Sequence, residues 1–486
     1  MTKNYLEQPD HLTFSVAPIS QVPGAFQAIF KPAPEKPAAG DPGKQAGDIF
    51  LEKTGDGKQL VVVSLGSQSK RSAEIFRQAG GGLARWLRQV TVTSIDIDLV
   101  TLDTLGVPEA FVALCEGLCL GFFQFARYKS KQESPLTIQV VLRTDKDQAE
   151  LELMVKDITA LTNAVNMARD WAHEPPNEIN PVTLAERAAN VAQQFGLKCT
   201  IIDDKALAEM NAGGILNVGK GSATPSRMII LEYSGNSISP DAQPVVLVGK
   251  ALTFDTGGYS LKGVDNIQGM KYDKCGGLAV IGALRAAAEL QLKIPVVGII
   301  GAAENKISSG SYLPDDIITT LSGLTVEILS TDAEGRMVLA DCLTYAQQKF
   351  HPRAMIDLAT LTGAVVIALG HVRAGLMSNN DTLSQELMEA GDRTYERLWR
   401  LPLDEEYVKN IKGDDSDLKN SGGREAGTIS GGTFLRQFVS DDVPWAHLDI
   451  AGMADTSKEL PYCPKGGTGF GVRLLVNYLQ HLNTQL

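Results

Sequence analysis

The sequence predicts an α/β protein: a smaller N-terminal α/β domain over residues 1–149, a long joining helix over 150–176, and a larger C-terminal α/β domain over 177–486 with a central mixed sheet. Three observations predict it. Short apolar, β-branched runs alternate with longer stretches of helical spacing, beginning with L-V-V-V-S-L at residues 60–65 before a helical run at 72–88. Alternation of this kind gives mostly parallel sheets covered by helices. Residues 150–172 keep helical spacing without a Pro and stop at Pro175-Pro176, which cannot extend a helix. Finally, 486 residues with 44% hydrophobic and 21% charged side chains can fill more than one core.

In the first part, residues 31–47 are rich in Pro, Gly, Ala and Lys and read as a surface loop. Residues 94–100 (S-I-D-I-D-L-V) alternate as a half-buried strand, 109–128 form a helix with an apolar face, and 136–142 return as a strand. No catalytic cluster falls here, so a structural or assembly role is expected.

In the second part, Pro181 opens a helix to 194. A strand at 199–202, a helix at 205–210, and turns at Gly213-Gly214 and 219–221 follow. Strands at 228–233 and 244–248 precede a Gly-rich segment and an Ala-rich helix ending at Leu290. A buried strand at 294–302 is closed by Glu304-Asn305, and Pro314-Asp315-Asp316 turns into a helical turn at 317–321. Strands at 325–329, 355–361 and 445–450 and helices at 337–350, 365–370, 384–398 and 427–439 complete the pattern, before a C-terminal helix. The strands are expected to be neighbours in one large sheet with helices on both faces.

The chemistry concentrates in three runs: K-A-L-T-F-D-T-G-G-Y-S-L-K at 250–262, M-K-Y-D-K-C-G-G at 270–277 and S-T-D-A-E-G-R at 330–336. They hold Asp255, Asp273, Asp332 and Glu334 beside glycines, at strand ends and helix starts, where α/β proteins place their sites. Grouped carboxylates need cations to neutralise them, and oxygen-rich groups without His suit hard or borderline divalent ions. Lys250 is expected at the end of a buried strand; its amine ligates a metal only if a nearby dication pulls its pKa down from about 10.4. Lys262, beyond the Gly257-Gly258 turn, is placed to face an oxyanion. Arg336 could hold a small anion through two parallel hydrogen bonds. Plainer roles compete: a snorkelling Lys250, a solvated Lys262, and Asp273, Asp332 and Glu334 as first-turn acids of helices. His173 and His447 read as packing residues.

Composition narrows the field. A net charge of −12 argues against a general nucleic-acid or anionic-membrane binder. The six Cys, at 115, 119, 199, 275, 342 and 463, form no CxxC pair, and Cys115 with Cys119 reads as a pair of buried helix thiols. The first residues lack an apolar signal core and no run is long enough to span a bilayer, so a cytoplasmic setting is expected.

The three runs, with D-L-A-T-L-T-G-A at 357–364 and W-A-H-L-D-I-A-G at 445–452, resemble the leucine aminopeptidase (cytosol aminopeptidase) family from about residue 168 to the C-terminus, and weakly at 117–129. The resemblance implies a metallo-exopeptidase that releases N-terminal, Leu-like residues from peptides by attack of a metal-bound hydroxide. It implies two divalent ions per subunit, Mn²⁺ or Zn²⁺ with Mg²⁺ as an alternative. Asp255 and Glu334 would bridge them, Lys250 and Asp273 would complete one site, and Asp332 the other, partly through its carbonyl. Lys262 would stabilise the tetrahedral intermediate, and Arg336 would hold bicarbonate as general base. Met270, Thr360, Leu361, Gly363 and Ala451 would line the pocket for the first side chain, with Asp273 also touching the substrate amine. A homohexamer built as a dimer of trimers is implied as well. Ser330 departs from the usual Asn and Tyr259 from a smaller aliphatic residue. Outside this resemblance, a di-metal phosphoesterase and a DNA-binding or structural role are the alternatives.

Overall fold

The run Val245–Asp255 (V-V-L-V-G-K-A-L-T-F-D) is buried along nearly its whole length. A strand tolerates that only inside a sheet covered on both faces, and the larger part of the protein is built around it. The computed structural model describes residues 6, 10–21, 23–33, 45–53, 55, 59–67, 72–131, 134–236 and 242–485. The chain divides into two compact units, Met1–Met167 with Thr456–Lys465, and Ala168–Asp455 with Gly466–Leu486.

The first unit contains β1 (His11–Pro18), β2 (Phe26–Lys31), β3 (Ala46–Lys53), β4 (Gln59–Leu65), α1 (Ala73–Leu87), β5 (Ser94–Asp98), α2 (Leu99–Asp103), α3 (Ala110–Gly121) and β6 (Thr137–Thr144). Its six-stranded sheet runs β1-β6-β5-β2-β4-β3, parallel except for the β3–β4 pair. Val61, Val63, Ile95, Ile97 and Val140 pack with Phe76, Leu83, Leu114 and Leu118 into one core. The periodicity of the sequence does not reveal β1, β2 or β3. β1 and β3 are the two edges of the sheet and half-exposed, so neither carries an apolar run. Of the expected loop at 31–47, Lys31 ends β2, Ala46 begins β3, and 34–44 lie outside the described residues. β5 stops at Asp98, whose carboxylate accepts from the N–H groups of Val100 and Thr101 and starts α2 there. α3 ends at Gly121 rather than near Tyr128, and Arg88 Nη1 takes the carbonyl of Phe122 (3.0 Å).

α4 (Gln148–His173) is the long helix expected, ending just before Pro175. The second unit continues with α5 (Pro181–Phe195), opened by an Asn180–Thr183 capping box. Then come β7 (Lys198–Ile202), α6 (Asp204–Glu209), α7 (Gly213–Gly219), β8 (Arg227–Tyr233), β9 (Val245–Asp255), α8 (Val264–Ile267), α9 (Cys275–Glu289), β10 (Val296–Asn305), β11 (Ile317–Thr319), β12 (Thr325–Glu327) and α10 (Glu334–Phe350). β13 (Ala354–Ala359), α11 (Gly363–Leu369), β14 (Ala374–Ser378), α12 (Asp381–Thr394), β15 (Leu398–Arg400), β16 (Leu418–Lys419), α13 (Gly427–Arg436), β17 (Trp445–Asp449) and α14 (Val472–Thr484) follow.

The eight-stranded sheet has the order β15-β14-β17-β13-β9-β10-β8-β7 and is mixed, as expected. β17, β13, β9 and β10 are parallel to one another, while β14 and β8 flank them antiparallel. Several local expectations fail. The helix expected at 384–398 ends at Thr394, where Tyr395 turns left-handed, and Leu398 begins β15. Gly213 and Gly214 open a helix instead of a turn, because a Cβ there would lie 2.0 Å from the Thr319 carbonyl or 2.3 Å from that of Met337. Residues 317–319 are a strand, and β11, β12 and β16 form a separate small sheet. Lys250 sits in the middle of β9, which the apolar run Ala251-Leu252-Thr253-Phe254 carries on to Asp255.

The helix that follows Asp273 lies almost in contact with the sheet backbone. A Cβ on Gly276 would come 2.2 Å from the carbonyl oxygen of Leu358 in β13, a backbone atom that cannot turn aside. Gly276→Ala is expected to destabilise the protein by roughly 1–3 kcal/mol through overpacking, read as a lower Tm in thermal unfolding; an unchanged Tm would contradict this packing.

Candidate active site

Successive side chains of a strand point to opposite faces, so Lys250 and Asp255, five positions apart, would ordinarily be separated by the sheet. They are not. In the β9–β10 ladder Leu252 pairs with Ala303 and Phe254 with Glu304, which leaves Thr253 as an extra residue on β9. This bulge shifts the alternation by one position and brings Asp255 to the face that carries Lys250.

Five structural elements then converge at the C-terminal ends of the parallel strands. β9 contributes Lys250 and Asp255, and the turn Met270–Tyr272 before α9 contributes Asp273. The loop after β12 contributes Asp332, and the first turn of α10 contributes Glu334 and Arg336. β13 ends at Thr360. Lys250 Nζ donates to Asp273 Oδ1 (2.9 Å), Glu334 Oε1 (2.8 Å) and the Thr360 carbonyl (2.9 Å). Lys262 Nζ reaches Asp255 Oδ2 (2.6 Å) and Asp332 Oδ1. Asp255, Asp273 and Glu334 each place a carboxylate oxygen within 4.8 Å of the others, and all three are buried. Asp332 stands at the rim, with its side chain 39% exposed.

Four carboxylates against two ammonium groups leave an excess of negative charge. The consequences show in the proton affinities. Burial pushes Asp273 up to about 7 against the pull of Lys250, and burial with the Glu334 charge raises Asp332 to about 6. Burial works against the Lys250 ammonium, but Asp273, Glu334 and Asp255 outweigh it and hold its pKa above the ordinary lysine range. Asp273 Oδ2 and Glu334 Oε2 are buried without a hydrogen-bond partner. Unpaired buried carboxylate oxygens are costly in a protein interior, and they fit a divalent cation among hard oxygen donors.

Two glycines make room for this. A Cβ on Gly335 would lie 2.8 Å from Lys250 Nζ, so the first turn of α10 can pass over the lysine only because residue 335 has no side chain. Gly257, at φ 83°, turns the chain beside Asp332 and lets its N–H reach Asp255 Oδ1 (2.8 Å).

Around the cluster, Thr360 Oγ1 donates to Asp273 Oδ1 (2.6 Å). The Leu361 and Ala451 N–H groups share one oxygen of Asp449 (3.1 and 3.3 Å). Met270 lies in the turn ahead of Asp273, whose N–H returns to the Met270 carbonyl (3.2 Å), and Gly363 opens α11 beside free space. Arg336 is buried, donates through Nη1 to the Asn420 carbonyl (2.8 Å), and keeps Nε without a partner. Ser330 Oγ accepts from the Asp332 N–H (3.2 Å), and Tyr259 is half-exposed with its hydroxyl on the Ser308 carbonyl (3.3 Å). His447 is a packing residue at this level, paired with Asp357 (2.5 Å) inside the sheet. Sequence reasoning overlooks Asn305, which donates to Asp255 Oδ1 (2.8 Å) and the Thr331 carbonyl (3.0 Å). Its only signal is its place at the end of the strand beside Asp255.

Residues 166–476 match the Cytosol aminopeptidase family, catalytic domain, and residues 42–132 match the N-terminal domain of the same family. The chain belongs to the cytosol aminopeptidase family. It is 43% identical to a probable cytosol aminopeptidase of Syntrophotalea carbinolica over 89% of this chain and 88% of the relative. It is 45% identical to the Geobacter sulfurreducens protein of that name over 87% and 85% of the two chains. The solved structure of the bottromycin maturation enzyme BotP in complex with Mn superposes with a TM-score of 0.86 at 34% identity, covering 94% of this chain and 99% of BotP. This aminopeptidase is therefore a metal-dependent hydrolase that cleaves peptides at their N-terminus, and Asp255, Asp273 and Glu334 form a buried group of carboxylates that could hold a metal ion.

Because Lys250 is hemmed in by three hydrogen bonds, a methyl group at residue 335 cannot be absorbed by moving the lysine alone. Gly335→Ala is expected to lower kcat by about a hundredfold, the scale of a misplaced catalytic group, with a smaller loss of bound metal by elemental analysis. Activity near wild type would show that the seat of Lys250 tolerates a side chain there.

Proposed function

We propose that Lys250, Asp255, Asp273, Asp332 and Glu334 hold two divalent ions, Mn²⁺ or Zn²⁺ with Mg²⁺ as an alternative, in which Asp255 and Glu334 are shared. The observation that carries this is the trio of buried carboxylates within 4.8 Å of one another, two of whose oxygens have no partner. Bound there, such ions would polarise the scissile carbonyl and lower the pKa of a water.

The chain's own groups divide the remaining work. Lys250 Nζ must give up one proton to serve as a ligand, and its contact with the Thr360 carbonyl (2.9 Å) keeps the amine aimed while it does so. Asp273, steadied by Thr360 Oγ1 (2.6 Å), would accept from the free amino group of the peptide. That selects for a chain terminus. Lys262 is positioned to donate to the carbonyl oxygen as charge develops on it. Arg336, with a buried Nε that has no partner, is assigned to hold bicarbonate, a weak base within the site. Met270, Thr360, Leu361, Gly363 and Ala451 line the pocket for the first side chain, and its apolar members favour Leu-like residues by modest factors.

Assembly as a homohexamer and a cytoplasmic setting belong to the same proposal. Among the described residues no helix is long and apolar enough to cross a membrane. Neither the phosphoesterase nor the DNA-binding alternative gains support: the matched family and relatives are aminopeptidases, and the chain has a net charge of −12.

Two substitutions separate the roles. Glu334→Ala is expected to abolish hydrolysis of leucine-p-nitroanilide and to lower metal content; full activity with metal retained would remove it from the ligand set. Lys262→Ala is expected to lower kcat by about 10²–10³-fold, the usual loss for an oxyanion donor, with metal content unchanged. Loss of metal in that variant would move Lys262 into the ligand set instead.

A further inference from the structure

Asp449 closes β17 and is fully buried, yet none of its hydrogen bonds goes to the acidic cluster. All of them go to two loops. Oδ1 accepts from the N–H groups of Leu361 (3.1 Å), Thr362 (3.4 Å) and Ala451 (3.3 Å), and Oδ2 accepts from the Thr362 hydroxyl (2.6 Å). Thr362 is in turn the N-cap of α11, accepting from the Val365 N–H (3.2 Å), and its hydroxyl lies 3.1 Å from that of Thr428 in α13. The two loops leave adjacent parallel strands, since Asp449 pairs with Ala359 across the β13–β17 ladder. One carboxylate oxygen thus ties the backbone after β13 to the backbone after β17.

A buried carboxylate is costly unless every lone pair is used. Here burial pushes the Asp449 carboxyl up, while His447 and the bonds from Thr362, Leu361 and Ala451 favour its charged form. Only an acceptor-only group with two oxygens satisfies both the amides and the hydroxyl. An amide has one oxygen and cannot do both.

We infer that Asp449 is a positioning residue for the substrate: it fixes the separation of the 360–363 and 450–452 segments and hence the width of the pocket that receives the peptide's first side chain. The inference rests on the reading of Thr360, Leu361, Gly363 and Ala451 as that pocket. It makes Asp449 and Thr362 determinants of selectivity, although neither contributes to the metal cluster.

The test compares kcat and KM for leucine- and alanine-p-nitroanilide, with metal content, in the full-length protein. Asp449→Asn and Thr362→Val are expected to lower the Leu-to-Ala ratio of kcat/KM by roughly 5- to 20-fold, the scale of a blurred apolar pocket. The loss should fall mainly on KM for the leucine substrate and leave the metal in place. Thr362→Ser, which keeps the hydroxyl, should retain the wild-type ratio; if Asp449→Asn does not fold, the Thr362 pair carries the test. Ala451→Leu serves as the control for the pocket itself. If it changes the ratio while Asp449→Asn and Thr362→Val do not, the pocket stands and the role of Asp449 is overturned. If Ala451→Leu leaves the ratio unchanged, the pocket assignment fails and takes this inference with it. Loss of metal from the Asp449 or Thr362 variants would also overturn it, by making the pair a support of the metal centre.

Discussion

Three carboxylates withdrawn from water and held within 4.8 Å of one another cannot coexist without cations. That constraint organises the centre of this aminopeptidase. Lys250 and Lys262 meet part of the demand through short contacts to Asp255, Asp273, Asp332 and Glu334. The unpaired oxygens of Asp273 and Glu334 mark the rest. A cluster with this residual charge is suited to divalent cations among hard oxygen donors.

The surrounding fold can be understood as what it takes to hold those groups still. Lys250 lies in the middle of a fully covered strand, so its side chain has no route to solvent. The bulge at Thr253 returns Asp255 to the same face. Glu334 rides on the first turn of α10, where the helix end favours a negative charge, and Gly335 beside it leaves the space that Lys250 fills. Asn305, at the end of β10, ties Asp255 to the Thr331 backbone (2.8 and 3.0 Å) and so joins the strand to the loop that carries Asp332. The five ligand candidates are thus held by four elements, with β9 carrying two of them, and the elements are locked together at close range.

A second set of contacts, centred on Asp449, ties the loops after β13 and β17 to each other. The two sets adjoin where Leu361 follows Thr360, whose carbonyl holds Lys250 (2.9 Å) and whose hydroxyl holds Asp273 (2.6 Å). On the proposed reading the separation is chemically sensible: the acidic cluster would govern cleavage of the amide, and the loops after β13 and β17 the choice of terminal residue.

Much of this was legible in the residues themselves. The alternation of apolar runs and helical periods marked both α/β parts, and the acidic residues beside Gly-rich turns at 255, 273, 332 and 334 marked the site, because grouped carboxylates carry their chemistry in their identity. The edge strands β1 and β3 escaped notice because half-exposed strands need no apolar run. Gly213 and Gly214 were misread because a glycine kept for close approach looks, in one dimension, like a glycine kept for a turn. The sequence by itself determined the two-part architecture and the type of chemistry, and it named the acidic residues that the fold brings together. Only the tertiary structure decided that Lys250 and Asp255 share a face, that Asn305 braces the cluster, and that Asp449 ties the loops after β13 and β17. These depend on a register shift and on contacts between segments as many as 88 positions apart, which local periodicity cannot encode.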